Sequence, residues 1–308
     1  MNKIPLSKFQ EAQKALKGHV LYSPMLPFQN LYLKSENFQP SGSFKIRGVT
    51  YCLSRLPNHI KQVVAFSTGN HAQAVALAAK RLNLKATIVM SPEALDFKVE
   101  ASRKAGAEVV IVPVQERQKH AEMLSKAPDA IYIPPYDHLD VITGQGTIGM
   151  EILEQTDPAA IFVPVGGGGL IAGIAAAIKQ QKSGIKIIGV EPKLEDDAAR
   201  SFKTGVLTTM PQPSQTIADA VRIPSLGALT FPLIQAYVDD MITVTESQIA
   251  DATFQLIEQG HFFVEPSGAL SVAGAENYRI SSSKPIVCIL SGGNTTLEQL
   301  TNIKKGRH

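Results

Sequence analysis

Short apolar runs rich in valine and isoleucine alternate along this chain with longer stretches in which alanine and polar residues recur at helical spacing. Val63-Val64-Ala65-Phe66 reads as a strand, followed after a turn by an alanine-rich helix over 72–81. Residues 86–90 read as a strand and 96–105 as a helix, and 108–112 and Ile131-Tyr132-Ile133 read as further strands. A strand over 161–165 leads through Gly166-Gly167-Gly168-Gly169 into a helix from Leu170 to about Gln181, and the next strand spans 185–190. Towards the C-terminal end, 285–290 leads into Ser291-Gly292-Gly293-Asn294. Apolar strands alternating with helices predict βα units and parallel sheet covered on both faces. No internal repeat or low-complexity segment interrupts the pattern.

In such sheets ligands bind where strands run into loops at their carboxyl ends. Three of these junctions hold hydroxyl, amide and glycine chemistry: Ser67-Thr68-Gly69-Asn70-His71, Gly166 to Gly169, and Ser291 to Asn294. Four glycines between strand and helix let the backbone close on a ligand. The helix that follows offers unpaired N–H groups and the positive end of its dipole. Together these make a phosphate site. Gly167-x-Gly169-x-x-Ala172 fits the dinucleotide fingerprint, with Glu191 near the place of a ribose-binding acid. An NAD-dependent oxidoreductase is therefore one reading, but it leaves the other two loops unused.

It also leaves Lys45 unused. Ser41-Gly42-Ser43-Phe44-Lys45 follows the strand-like Leu31-Tyr32-Leu33-Lys34. Two serines, a glycine and an aromatic before a lysine suit a folded loop better than an exposed helix face. A desolvated lysine loses its proton readily and becomes a nucleophile able to form a Schiff base. A pyridoxal phosphate reading employs Lys45 and all three loops.

Composition narrows the classes further. With 308 residues, 44% hydrophobic and 19% charged, the chain has the balance of an ordinary globular protein of one or two domains. A net charge of +3 gives no argument for a nucleic-acid partner, and Lys304-Lys305-Gly306-Arg307 reads as a frayed end. Cys52 and Cys288 lie in apolar company, as buried free thiols of a reducing compartment do. The N-terminal stretch lacks the apolar core of a signal peptide, and the longest apolar run, around 170–178, is too short to span a membrane. A cytoplasmic protein with no membrane partner is expected. The seven histidines show no metal-ligand spacing.

In this order, Ser43-Phe44-Lys45, Ser67 to His71, Gly166 to Gly169 and Ser291 to Asn294 resemble the fold-type II pyridoxal-phosphate enzymes. Longer strings resemble the threonine dehydratase and serine racemase group. They are Leu33 to Pro40 leading into Ser41 to Gly48, Gly144-Gln145-Gly146-Thr147-Ile148-Gly149, Thr216-Ile217-Ala218-Asp219, Val238-Asp239-Asp240 and Val264-Glu265-Pro266-Ser267-Gly268-Ala269. The resemblance runs from about Leu16 to Thr295.

It implies a tryptophan synthase β-like α/β fold: two open, twisted, mostly parallel sheets covered by helices, with the cofactor in the cleft between domains. A large domain would comprise 1–52 and 139–308, and a small mobile substrate-binding domain 53–138. Lys45 would be the Schiff-base lysine and then the base at the α-carbon. Phe44 would pack beside the cofactor, Gly166, Gly167, Gly168, Gly169 and Leu170 would hold its phosphate, and Asn70 would bond its phenolic oxygen. Ser291 would donate to a neutral ring nitrogen, which weakens the electron sink. Ser67, Thr68, Gly69, Asn70 and His71 would take the substrate carboxylate. Glu191, Glu195 and Asp197 align with a Mg²⁺ or Ca²⁺ site of the racemase branch, the middle position acting through its backbone oxygen. Taken alone, the acidic run 195–197 reads equally as the solvated start of a helix.

Three departures matter. Thr68 stands where the racemase branch has its second acid/base, a serine; it keeps a hydroxyl but adds a stiff β-methyl. Ala220 replaces the usual glycine, and Pro134-Pro135-Tyr136-Asp137-His138 departs from the dehydratase string. The expected activity is β-elimination of L-threonine, and of L-serine, by a homodimer or homotetramer acting on small hydroxy amino acids. Serine racemase and 3-hydroxyaspartate dehydratase are the alternatives within the group. A non-catalytic small-molecule-binding protein is the remaining alternative outside it.

Overall fold

The computed structural model describes residues 3–67, 69–94, 96–211 and 214–306. It opens with helix α1 (Leu6–Leu16), strands β1 (Met25–Phe28) and β2 (Leu31–Ser35), and helix α2 (Lys45–Ser54). A first βα run follows: β3 (Gln62–Phe66), α3 (Asn70–Arg81), β4 (Lys85–Met90), α4 (Asp96–Lys104), β5 (Glu108–Ile111), α5 (Arg117–Leu124) and β6 (Ala130–Tyr132). The second run comprises α6 (Leu139–Gln155), β7 (Ala160–Pro164), α7 (Gly169–Lys179), β8 (Lys186–Pro192), α8 (Asp197–Thr204), α9 (Thr230–Tyr237), β9 (Asp240–Val244), α10 (Glu246–Glu258), α11 (Pro266–Glu276), β10 (Ile286–Leu290) and α12 (Leu297–Lys305).

The strands form two sheets, a six-stranded one in the order β1-β2-β10-β7-β8-β9 and a four-stranded one in the order β5-β4-β3-β6. Every pairing is parallel except β1 with β2. The expected mostly parallel, two-sheet α/β fold is therefore present. Strand β7 is buried at every position, because helices cover both of its faces. Helix α7 is buried from Gly169 to Ile178, as a helix that is apolar all round must be. The sequence places element starts within a few residues. Helix α3 begins at Asn70, two residues earlier than its alanine pattern indicates, and Lys45, read as a loop residue, is the first residue of α2.

Charge also enters the core. Arg47, two residues into α2 beyond Lys45, is fully buried. Its Nε and Nη2 donate to the two oxygens of Glu36 at 2.7 and 2.8 Å, and Nη1 donates to Oε1 of Glu151 on α6 at 2.6 Å. Lys34 Nζ, equally buried on β2, donates to the other oxygen of Glu151 at 2.5 Å, to the Ser23 carbonyl at 2.8 Å and to Gln155 at 3.0 Å. Buried charges persist only when paired and hydrogen-bonded, and two cations here face two carboxylates. Desolvation raises the Glu36 carboxyl, but Arg47 and Lys34 outweigh it and hold it below its ordinary value.

Arg47→Ala is expected to destabilise the protein by about 3–5 kcal/mol, because Glu36 and Glu151 stay buried with most of their compensation gone. Denaturant unfolding, with circular dichroism to confirm a native ground state, measures this. A loss below about 1 kcal/mol would place the network in the surface class of ion pairs.

Candidate active site

The carboxyl ends of strands from both sheets face one cavity. Asn70 and Tyr136, which follow strands of the four-stranded sheet, line it together with Gly166 to Gly169 and Ser291, which follow strands of the six-stranded sheet. Phe44, Lys45 and Leu170 complete the sequence-derived set in the same cavity. Ser67, Gly69 and His71 belong to the same loop as Asn70 but stand outside this lining. Thr68 lies outside the described residues.

Lys45 reaches the cavity because an isolated bridge between Ser43 and Gly292, and a bond from Phe44 N–H to the Ser291 carbonyl at 3.0 Å, lay the start of α2 across the β10 loop. Its Nζ donates to the Pro135 carbonyl at 2.7 Å and lies 5.1 Å from the centre of the Phe44 ring. Burial lowers its pKa from 10.5 to about 8, so an appreciable neutral fraction exists close to neutral pH.

The tetraglycine turn is shaped by packing on every side. Gly168 has φ +88°, the left-handed region, and is the N-cap of α7. The Gly167 carbonyl accepts from Thr230 Oγ1 at 2.8 Å. A Cβ on Gly167 would fall 2.5 Å from the Tyr136 ring, so glycine here lets the 134–138 loop lie on the turn. The first N–H groups of α7 lack intrahelical partners, and Gly169 and Leu170 line the cavity, an arrangement suited to an anion.

Ser291 is buried and its Oγ makes a long 3.4 Å bond to the Ser267 carbonyl, weak enough to be redirected. The Asn70 amide is held from both ends. Its Nδ2 donates to Glu265 Oε1 at 2.5 Å, and its Oδ1 accepts from Asn294 Nδ2 at 2.7 Å. Glu265 is fully buried, and its pKa rises from 4.5 to about 8, chiefly through desolvation and then through Asp219. Lys98 of α4 donates to Asp219, next in sequence to the cavity-lining Ala220, at 2.5 Å. In the neighbouring loop His71 pairs through Nε2 with the Ile133 carbonyl at 2.9 Å, so Nε2 bears the proton. Desolvation, and then Lys45, lower its pKa from 6.5 to about 3. His71 is a neutral structural donor.

The acidic trio is not solvated. Glu191, Glu195 and Asp197 are each 3% exposed or less. Burial is the reason: Glu191 lies on β8, and its two oxygens accept from the Ala198 and Ala199 N–H groups at 3.1 and 2.7 Å, capping α8. Glu191 is thereby committed to α8, which removes it from the ribose-binding role of the dinucleotide reading. Glu195 Oε2 and Asp197 Oδ2 are buried without a hydrogen-bond partner among the described residues, and desolvation, then Glu195, raise the Asp197 pKa to about 7.

Sequence reasoning passed over Tyr136, Glu265, Asn294 and Gly42 as site residues. Glu265 and Asn294 stood inside quoted motifs, and the signal was an acid just before a helix-opening proline and an asparagine closing a glycine pair.

Residues 18–292 match the family described as "Pyridoxal-phosphate dependent enzyme". The chain belongs to this family. It is 39% identical to L-threo-3-hydroxyaspartate ammonia-lyase of Saccharomyces cerevisiae, over 96% of this chain and 95% of that one. It is 38% identical to L-threonine ammonia-lyase of Thermotoga maritima, over 97% of this chain and 78% of that one. A solved structure of maize serine racemase superimposes with a TM-score of 0.91 at 35% identity, covering 98% of this chain and 99% of that one. The fold is that of the fold-type II enzymes, and the chain is a member of their ammonia-lyase and racemase group. The donor set fits pyridoxal phosphate: a helix N-terminus for a phosphate, a lysine amine for an aldehyde, a serine hydroxyl for a ring nitrogen and an amide N–H for a phenolic oxygen.

His71 gives the site a pH signature. Below pH 6.5 the unfolded chain takes up a proton that the folded chain refuses until about pH 3. Stability must therefore fall as pH falls through that window, with a slope of up to about 1.4 kcal/mol per unit from this one group. His71→Gln, which keeps a donor, is expected to flatten the slope. Urea midpoints measured across the window would show an unchanged slope if His71 were charged in the fold.

Proposed function

We propose that this chain is a pyridoxal-phosphate-dependent ammonia-lyase that eliminates water from L-threonine, and also from L-serine. The products are 2-oxobutanoate or pyruvate and ammonia. The observation that carries the reading is the meeting, in one cavity, of a lysine with a pKa lowered to about 8, the glycine turn at the start of α7, Asn70 and Ser291.

Pyridoxal phosphate, when bound, supplies an electron sink for the charge left at the substrate's α-carbon. Gly166 to Gly169 and Leu170 hold its phosphate through the N–H groups at the start of α7. Asn70 Nδ2 would donate to its phenolic oxygen and Ser291 Oγ to its ring nitrogen. A serine leaves that nitrogen neutral, which favours prompt loss of a β-hydroxyl over prolonged charge at the α-carbon. Lys45 Nζ, as the free amine, would take the proton from the α-carbon; the Cβ–O bond then breaks, and hydroxide leaves as water with the proton returned from the Lys45 ammonium. Hydrolysis of the released enamine gives the oxo acid and ammonia. Lys45 serves one face only. Position 68, where the racemase branch has its serine acid/base, is threonine, whose β-branch restricts the hydroxyl, so elimination is expected to exceed racemisation. We assign substrate closure to a small domain of 53–138, supported by the Lys98–Asp219 and Asn70–Glu265 contacts that join it to the rest of the chain.

A second reading, 3-hydroxyaspartate as the substrate, is favoured by similarity to the yeast enzyme named above. Oxo-acid release from L-threonine, L-serine and L-threo-3-hydroxyaspartate, compared by kcat/KM, decides between them. The purified protein is expected to be yellow, and borohydride to leave the cofactor attached to the peptide containing Lys45. Lys45→Ala should lose the label and at least about a hundredfold in kcat. A colourless protein that binds NAD would reverse the assignment. D-serine accumulating faster than pyruvate would make the enzyme a racemase.

We also propose a Mg²⁺ or Ca²⁺ site at Glu191, Glu195 and Asp197, supported by the buried, unpartnered oxygens of the latter two. Chelator at constant ionic strength is expected to lower the melting temperature, and either cation to restore it. An unchanged melting temperature argues that the trio is held by protons instead.

A further inference from the structure

Two separated pieces of sequence end on the Asn70 amide, and a third braces one of them. Asn70 opens α3. Glu265, just before α11, accepts from its Nδ2 at 2.5 Å, and Asn294, beyond β10, donates to its Oδ1 at 2.7 Å. Asn294 Nδ2 also donates to the Ser41 carbonyl at 2.9 Å, which fixes the direction of its own amide. Two glycines make this possible. A Cβ on Gly292 would fall 2.2 Å from Glu265 Oε1, and a Cβ on Gly42 would fall 2.2 Å from Asn294 Oδ1. Neither space could be kept by any other residue. One end of Asn70 thus faces a fixed donor, Asn294 Nδ2. Rotating the amide by half a turn would set N–H against N–H there.

We infer that Glu265 and Asn294 are positioning residues, which lock the Asn70 amide so that the second hydrogen of its Nδ2 is presented to the cavity. This rests on the cofactor reading above, in which that hydrogen meets the phenolic oxygen. It gives functions to the Gly42, Gly292 and Asn294 positions of two motifs, and to the acid of Val264-Glu265-Pro266, beyond turn formation. The arrangement also joins the sheets, since Asn70 comes from the four-stranded side and both of its partners from the six-stranded side. Around Glu265, Asp219 favours the neutral carboxyl and Lys98 the charged one; nearby, Lys45 disfavours a charge on His71.

The test uses the holoenzyme and reads the acid–base midpoint of the bound cofactor's visible absorbance, together with cofactor retention on dialysis. Asn70→Ala is expected to shift the midpoint and weaken retention about tenfold, the effect of one lost hydrogen bond to a charged group. Glu265→Ala and Asn294→Ala should shift it in the same direction by less, and neither should add to Asn70→Ala in a double variant. Glu265→Gln, which keeps an oxygen acceptor, should restore most of the parent midpoint. If Glu265→Ala does not fold, Gly292→Ala supplies the same test by forcing the carboxylate aside. Equal shifts from Glu265→Ala with and without Asn70, or no rescue by Gln, would overturn the positioning role. An unsubstituted protein without visible absorbance would overturn the cofactor reading itself, and this inference with it.

Discussion

The position of Lys45 depends on a charge buried two residues away. Arg47 ties α2 to Glu36 beyond β2 and to Glu151 on α6, while Lys34 ties β2 to the same Glu151. A hydrophobic contact would hold α2 less specifically, because apolar packing tolerates rotation and sliding that bidentate guanidinium pairing does not. The network therefore works as a register pin. With Arg47 fixed at both carboxylates, the first turn of α2 can point only one way, and Lys45 meets the cavity from that turn. Such networks add little net stability over a well-packed apolar core and are better understood as specifying one arrangement.

The cavity applies the opposite rule. Titratable groups in it and just behind its wall are driven by burial towards their neutral forms: Lys45 and His71 downward, Glu265 upward. Charge is satisfied in the scaffold and withheld from the site. A lysine that is neutral part of the time can both bond to carbonyl carbon and accept a proton, and a neutral histidine beside it does not compete for that proton. The ionic scaffold and the weakly charged cavity touch through α2, where Arg47 and Lys45 are both strongly desolvated yet only one has carboxylate partners.

The βα alternation, the glycine turn and a lysine set into the cavity were legible in the sequence because each leaves a local pattern: periodicity, a run of one residue type, an unusual neighbourhood. The parallel sheets follow from apolar runs that have no polar face, as β7 shows. Other features were not legible because their causes are non-local. Nothing near Glu265 in sequence says that Asn70 will lie against it, 195 residues away. Lys34 looks like a surface lysine until Glu151 is known to sit opposite. The acidic run at 195–197 reads as a solvated helix start until β8 brings Glu191 beneath it and buries all three carboxyls. The helix boundary at Lys45 was missed because its small-residue approach resembles a loop, and is one up to Ser43.

The two sheets meet through polar contacts as well as through apolar packing, and this bears on how the site works. Lys98 on Asp219 and Asn70 on Glu265 each set a donor from the four-stranded side against a carboxylate from the six-stranded side. Asp219 and Glu265 repel each other, so one is best neutralised by an ion pair and the other by a proton or an amide. Separating the sheets would remove both donors together and leave two interacting carboxylates facing solvent. Were the small domain to move as proposed, approach of the sheets would restore the donors and orient Asn70 together, so that a substrate favouring the closed arrangement would also favour the competent one.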